Sequence, residues 1–514
     1  SNIQSDGYID RAASNLKSYY LSGVYVGKKS LLRATSFSGK ERTYQSWYGT
    51  PESVVKGTNE DRIAYADRNY LNDQQRDNLL NAGRTYNFYQ YDNEVDNYQQ
   101  THYQLLHTYK FYSRLKLNTA LHYTKGLGYF EQYRNDDDFA TYGLAPIPMG
   151  TDTLSSTDLI RRRWLDNDFY GIVSSVDYKS RKGLHLIAGG GYNQYSGQHY
   201  GEVIWARFAS ASEIQDRYYD NTATKKDLNV YAKLSYTRKK LTASADLQYR
   251  SIDYSFLGID MVDGQIVDQQ QQQKYGFFNP KLGMTYSFNW HHMAYASFAV
   301  AQREPIRSDF RSFTPNNRPK HEILNNFEAG YRFAQNRLQI NSNVYFMDYT
   351  NQLILTGKVN DVGDYTRINV ADSYRMGIEL EAKYTIRSKY YISGNLTYSQ
   401  NKVIEFTEYI DDYDVGGQAT ILHKNTDLAF SPTVITAVRI GGEFFPNFKA
   451  NLTSKYVGKQ YLDNTSSSNR QLDAYFVSHF NMSYELKNVI GKKLIFGLLI
   501  NNIFNELYSS NGYT

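Results

Sequence analysis

Residues 228–250, LNVYAKLSYTRKKLTASADLQYR, alternate strictly between apolar and polar positions. Leu228, Val230, Ala232, Leu234 and Tyr236 form one stripe. Asn229, Tyr231, Lys233, Ser235 and Thr237 form the other. After Arg238, Lys239 and Lys240 the pattern resumes: Leu241, Ala243, Ala245, Leu247 and Tyr249 against Thr242, Ser244, Asp246, Gln248 and Arg250. A period of two on both sides of a short polar turn is a β-hairpin with one apolar face. The same texture returns at 115–123, 184–190, 378–386 and 392–398, each beside a tight turn. With further turns near 27–29, 289–291, 335–336, 446–447 and 488–492, the pattern predicts about nine hairpins. That is about eighteen strands of roughly ten residues each.

The other connections are longer, irregular and polar, at about 39–101, 125–167, 196–226, 251–277, 303–324, 348–374, 402–431 and 458–472. Short turns at one end of every strand and long loops at the other is the asymmetry of an outer-membrane barrel. Tilted strands of about ten residues match the hydrocarbon thickness. The apolar stripes carry Ala, Gly, Thr and Tyr among the aliphatics, which suits lipid contact and an aromatic girdle better than a dense core. A soluble propeller would show a shared motif at a fixed spacing, and none is present. The reading is therefore all-β: a transmembrane antiparallel β-barrel spanning residues 1–514, with short periplasmic turns and long extracellular loops. Its apolar faces meet lipid and its polar faces line a wet lumen. No Pro- or Ser-rich joint divides the 514 residues, and Pro numbers only 9.

Composition bounds the chemistry. Tyr numbers 50 and Phe 26, a loading that fits strands and membrane interfaces. Cys is 0, which removes thiol chemistry and Cys-based metal sites. Apolar runs are only a few residues long, too short for a transmembrane helix. The mean hydropathy of −0.62 is compatible with a barrel, whose signal is diluted by alternation. A net charge of +5 with no basic stripe gives no case for nucleic acid. Both ends read as cut: the first evident strand, near 16–26, runs towards a short turn, and the last, near 493–502, runs into a loop.

The final segment, LLINNIFNELYSSNGYT, resembles the penultimate strand and loop of TonB-dependent outer-membrane receptors, through Ile500, Asn501, Asn502, Ile503, Phe504, Asn505 and Tyr508. The stretches 279–310, 454–486, RRRWLDNDFYG (161–171) and NVADSYRMGIELE (369–381) resemble receptors of the Bacteroidetes branch. The resemblance implies a 22-stranded barrel, of which about 18–19 strands are visible here. It also implies an N-terminal plug with a TonB box, expected outside this chain along with the first strands and the last. It further implies residence in the bacterial outer membrane and partnership with the TonB–ExbB–ExbD complex.

No catalytic constellation appears: there is no G-x-S-x-G, P-loop or H-E-x-x-H. The chain is expected not to be an enzyme and to need no cofactor or resident metal. Asp136–Asp138 and the acidic residues at 411–414 read as solvated loop charge, and Gln269–Gln273 as polar loop filler. The loop AQREPIRSDFRSFTPNNRPKH gathers Arg303, Arg307, Arg311, Arg318 and Lys320 against Glu304 and Asp309. Guanidinium forks suit planar anionic and catecholate groups. Trp164 and Tyr129 add aromatic rings where loops should begin. These arginines and the two aromatics are the candidate ligand-binding residues, and a ferric siderophore is the expected ligand. Haem receptors of the family carry an N-P-D-L box and a loop histidine. Arg303-Glu304-Pro305 stands near the position of a haem box, but no histidine lies between Arg303 and Lys320. Haem or cobalamin is the second expectation. A passive pore or a surface adhesin is the alternative from another class, and a surface lipoprotein remains a possible partner.

Overall fold

The computed structural model describes residues 1–262, 265–311, 318–359, 365–387, 389–411, 418–489 and 491–514. Among them, 22 strands share one antiparallel sheet. In chain order the principal strands are β1 (Asn2–Ser5), β2 (Ser14–Val26), β3 (Ser30–Tyr44), β4 (Val95–Tyr112), β5 (Leu115–Asp138), β6 (Ser156–Lys179), β7 (Leu184–Ala206), β8 (Arg217–Arg238), β9 (Leu241–Phe256) and β10 (Gln271–Ser287). They continue with β11 (His292–Arg303), β12 (Glu322–Gln335), β13 (Leu338–Val359), β14 (Tyr365–Ile386), β15 (Tyr390–Asp411), β16 (Gln418–Asp427), β17 (Val434–Phe445), β18 (Phe448–Val457), β19 (Tyr475–Lys487) and β20 (Lys493–Ile500). Two short strands, Gly258–Val262 and Gln265–Asp268, complete the sheet.

The chain divides into two compact units. One comprises Ser1–Lys179, Leu186–Ala232 and Tyr249–Phe277; the other comprises Ser180–His185, Lys233–Gln248 and Phe278–Thr514. In the first unit β2 pairs with β3, β3 with β4, β4 with β5 and β5 with β6, all antiparallel. In the second, the ladder runs from β10 through β11, β12, β13 and β14 to β15. The lower half of β15 pairs with β17, and its upper half with β16. From β17 the ladder continues through β18 and β19 to β20.

The apolar stripes are not covered by protein. Leu228, Val230, Leu234, Tyr236, Leu241, Leu247 and Tyr249 are 39–50% exposed. A soluble sheet would bury such residues; an exposed, regular stripe of them is a face built for an apolar solvent. Residues paired directly across two strands point to the same side, so the register extends the stripe from strand to strand. Leu121 stands opposite Leu105 and Ile172, and Tyr123 opposite Tyr103 and Tyr170. The opposite face carries His122, Thr124, Gln104 and His102. There the hydrogen bonds run between side chains: His122 Nε2 lies 2.8 Å from Asn193 Oδ1, and Tyr98 donates to Asn167 at 3.1 Å.

The tight turns lie where the sequence places them, but three expectations change. Most of the principal strands are longer than ten residues, reaching 24 in β5 and β6. Beyond the lipid stripe both faces are polar, so pairing continues where alternation no longer marks it. A strand upstream of the first expected one, β1, pairs with Ser14–Lys17. Only Gln269 and Gln270 of the glutamine run lie in a loop, because Gln271–Gln273 begin β10.

Between β3 and β4 the chain folds into three helices, α1 (Glu52–Val55), α2 (Asn59–Arg68) and α3 (Asp73–Asn81). Thr58 and Asp61 form a capping box at α2, and Asn72 and Gln75 form one at α3. Val54, Ala66, Leu79 and Tyr86 close a small core beneath them.

Candidate ligand-binding site

The arginine-rich connection follows β11. Its first side chain, Arg303, reaches across the ladder to its paired residue: Nη2 lies 2.6 Å from Glu322 Oε2. Glu322 also accepts from the Leu353 backbone at 2.6 Å, so it holds β11 and β13 together. A short helix, α4 (Arg307–Arg311), comes next. It is clamped by Asp309, which takes Arg367 of β14 at 2.9 and 3.2 Å and caps the Ile306 backbone at 2.8 Å. Lys320 closes the connection through its backbone, which exchanges hydrogen bonds of 2.8 and 3.1 Å with the Asn369 side chain.

The two carboxylates of this connection are buried: Glu304 is 6% exposed and Asp309 3%. The cations Arg303, Arg318 and Lys320 are exposed, and Arg307 is half-buried. Arg311 ends α4 at the edge of the described residues. Arg318 and Lys320 are thus exposed, while Asp309 is engaged in holding the shape of the connection.

A second polar cluster in the same unit ties two other connections. Arg470 Nη1 lies 2.6 Å from Glu408 and 2.9 Å from Asp463. His423 Nε2 lies 2.8 Å from the other Glu408 oxygen, with its ring stacked on Phe406. His423 is thus an ordering residue of β15 and β16. His291, at a tight turn, contacts the Ala334 carbonyl at 2.9 Å. Among the described residues no group of three His, Asp or Glu side chains could hold a metal ion.

Trp164 and Tyr129 lie in the first unit, not at loop bases but within β6 and β5, where they are direct cross-strand partners. Their ring centroids are 4.6 Å apart. Parity places both on the side of Leu121, Tyr123 and Leu127, the face of the apolar stripe, and not on the side of His122 and Thr124. Alternation carried a few residues further along LHYTKGLGYF reveals this. Asp136–Asp138 are structural: Asp137 binds Arg134 and Tyr142, and Asp138 caps the turn at Ala140. The acidic residues 412–414 lie outside the described residues.

Near the helices of the 45–94 connection, an open groove of about 440 Å³ is lined by Asp10, Arg11, Gln74, Asp77, Asn78 and Gln90. The loop leans on a buried carboxyl. Glu94 is 3% exposed, and burial pushes its pKa up to about 8, against the pull of the Tyr133 backbone amide and Arg134. It is therefore largely protonated at neutral pH. Arg367, Asn369 and the Glu408–Arg470 pair were invisible to sequence reasoning, because each joins residues far apart in the chain.

Comparison with known proteins places this architecture. The family model "TonB dependent receptor-like, beta-barrel" matches residues 43–503. The fold is similar to the ferric-catecholate import receptor Fiu from E. coli K12 in its closed form, with a TM-score of 0.66 at 13% identity over 99% of this chain and 73% of that one. It is similar to the ferric citrate transporter FecA, with a TM-score of 0.68 at 14% identity over 98% and 68% of the two chains. It is also similar to the copper transporter OprC, with a TM-score of 0.69 at 12% identity over 98% and 69%. The chain belongs to the TonB-dependent receptor β-barrel family of bacterial outer-membrane transporters, which are not enzymes and work with TonB.

Proposed function

We propose that this transporter imports a ferric siderophore, and that the connection between β11 and β12 supplies part of its outer binding surface. The observation that carries the reading is the sorting of charge there. Both acids are buried, one clamped by Arg367, while Arg318 and Lys320 are exposed and Arg303, exposed as well, is paired with Glu322. Ferric complexes of catecholate and carboxylate chelators are anionic and planar at their edges, the chemistry that guanidinium forks take. Two of the similar folds, a ferric-catecholate import receptor and a ferric citrate transporter, are consistent with this ligand class. Arg307 and Arg311 on α4 are assigned to the same surface. Trp164 and Tyr129 are left out of it, since they share the face of the lipid stripe.

A tight outer site alone would trap the ligand, so binding must be coupled to an energised release. The TonB–ExbB–ExbD complex, acting on a plug, supplies that step in this reading. The test is binding of the full-length receptor to ferric catecholate and citrate siderophores, haem and cobalamin, followed by TonB-dependent uptake in cells. Submicromolar binding of a ferric siderophore, weakened by Arg303→Ala, Arg307→Ala and Arg311→Ala together, is the expected result. Binding of haem or cobalamin alone rejects the ligand. Siderophore binding indifferent to the three changes rejects the site.

A further inference from the structure

We propose that the short turns of the second unit form a cationic row that binds the phosphate headgroups of anionic phospholipids in the periplasmic leaflet. The turns lie at 180–183, 237–240, 288–291, 335–337, 387–389, 446–447 and 488–492. Five of the seven carry Lys or Arg, and none carries Asp or Glu. Backbone hydrogen bonds join neighbouring turns. The Thr237 amide donates to the Gly183 carbonyl at 3.0 Å, and the Ser287 amide to that of Lys240 at 2.8 Å. The amides of Ala334, Thr385 and Glu443 donate to the carbonyls of His291, Arg337 and Lys389 at 2.9, 2.8 and 3.0 Å. The turns therefore stand side by side at one end of the sheet, the end that faces the periplasm in outer-membrane barrels.

The two ends of the unit treat positive charge differently. At the loop end cations are drawn into pairs: Lys402 with Asp427 at 2.7 Å, Lys424 with Glu405 at 3.0 Å, and Arg367 and Arg470 as described above. At the turn end Arg181, Arg238, Lys239, Arg337, Arg387 and Lys389 are all exposed. Among the described residues none of these six has a carboxylate within ion-pair distance. A row of like charges repels itself, and an anion that joins the row relieves the repulsion.

Depth decides which anion that is. The lipid stripe of β8 ends at Tyr236, and Arg238 lies two residues further on the same face. Arg387 directly follows Ile386, the last stripe residue of β14, and Arg337 directly precedes Leu338, which pairs with Tyr384. At roughly 3.3 Å per residue and a tilt of about 40°, two residues carry the chain about 5 Å beyond the hydrocarbon. The headgroup layer is itself about 5–8 Å thick on each side. The cations thus stand at the level of the lipid phosphates, and their long stems let the charged ends settle there. A soluble partner would meet them only after displacing that layer.

The experiment uses the full-length receptor in liposomes, with brominated phosphatidylglycerol and brominated phosphatidylcholine as competing quenchers. The reporter is Trp290, fully exposed in the 288–291 turn, where the Lys240 ammonium reaches the Phe288 carbonyl at 2.5 Å. The quenching lost in Trp290→Phe isolates its signal from that of the other tryptophans. Each basic residue near an anionic surface strengthens association about fivefold, so a preference of roughly tenfold for phosphatidylglycerol is expected. Arg238→Gln, Lys239→Gln and Arg337→Gln together, in the turns on either side of Trp290, should reduce it to within about twofold. Arg238→Lys, Lys239→Arg and Arg337→Lys together should keep it. Heat-modifiable migration on gels confirms that each variant is folded. For the unchanged receptor, about 1 M salt shortens the screening length to about 3 Å and should shrink the preference likewise. Equal quenching by the two lipids, or a preference that survives the glutamine changes or the salt, overturns the proposal. Poly-glutamate binding to the turns in phosphatidylcholine nanodiscs, without any lipid preference, also overturns it and assigns the row to an acidic periplasmic protein.

Discussion

Changing Val230 to Arg should cost several times more than changing its neighbour Asn229 to Arg. Val230 is 50% exposed and sits in the stripe Leu228–Tyr236, with polar residues beyond both ends. That stripe spans roughly 23 Å at about 3.3 Å per residue and 40° of tilt, close to the apolar band of an outer-membrane barrel. Full burial of a valine side chain stabilises by about 1.5–3 kcal/mol, so the half presented to lipid contributes about 1 kcal/mol. An arginine close to the middle of the bilayer adds about 2–3 kcal/mol of unfavourable transfer. Val230→Arg is thus expected to destabilise by about 3–4 kcal/mol. Asn229 faces the polar side and is half-buried beside Gly191. Its replacement should cost less than about 1 kcal/mol. The assay is reversible urea unfolding in liposomes, read by tryptophan fluorescence and gel migration. Equal costs at the two positions, or a larger cost at Asn229, would refute the assignment of faces.

Three further outcomes are expected. Glu94 has a folded pKa raised from 4.5 to about 8 by burial, so its contribution to stability is complete below about pH 4.5 and is lost as pH rises through 8. Glu94→Gln should therefore make the 45–94 region more resistant than wild type to proteolysis at pH 8.5, with little difference at pH 5; the reverse order would contradict the assignment. Arg367→Met strands the Asp309 carboxylate, 3% exposed, without its clamp. Amides of 303–311 should then exchange at least roughly tenfold faster while those of β13 stay protected. Thr58→Ala removes one half of the α2 capping box and should cost the helix about 1 kcal/mol, seen as faster exchange confined to 59–68.

The lipid face was legible in the sequence because a period of two survives wherever one side of a strand meets lipid and the other water. LNVYAKLSY shows this without ambiguity, and the tight turns at Ser113-Arg114 and Arg238–Lys240 follow from it. The upper parts of β5 and β6 were not legible, since polar residues there face polar surroundings on both sides and pairing leaves no mark on composition. The helices at 52–81 had a readable signal in Thr58–Asp61 and Asn72–Gln75, two capping-box spacings inside a stretch otherwise taken as loop. The charged connection at 303–321 was found by composition alone. What shapes it was not, because Asp309 and Arg367 meet across 58 residues. The faces of Trp164 and Tyr129 needed only the parity of the strands below them.

The length of β5 and β6 decides how far from the lipid their own connection is carried. From Lys125 to Asp138 about fourteen residues of β5 continue above the lipid, paired almost throughout with β6. At roughly 3.3 Å per residue and 40° of tilt, that is about 35 Å of stiff double ribbon. The segment 139–155 at its tip stands clear of the headgroup sugars on a rigid mast rather than on a floppy tether. A short epitope inserted at Gly150, which is exposed and has a positive φ, would be displayed there without touching the ladder beneath.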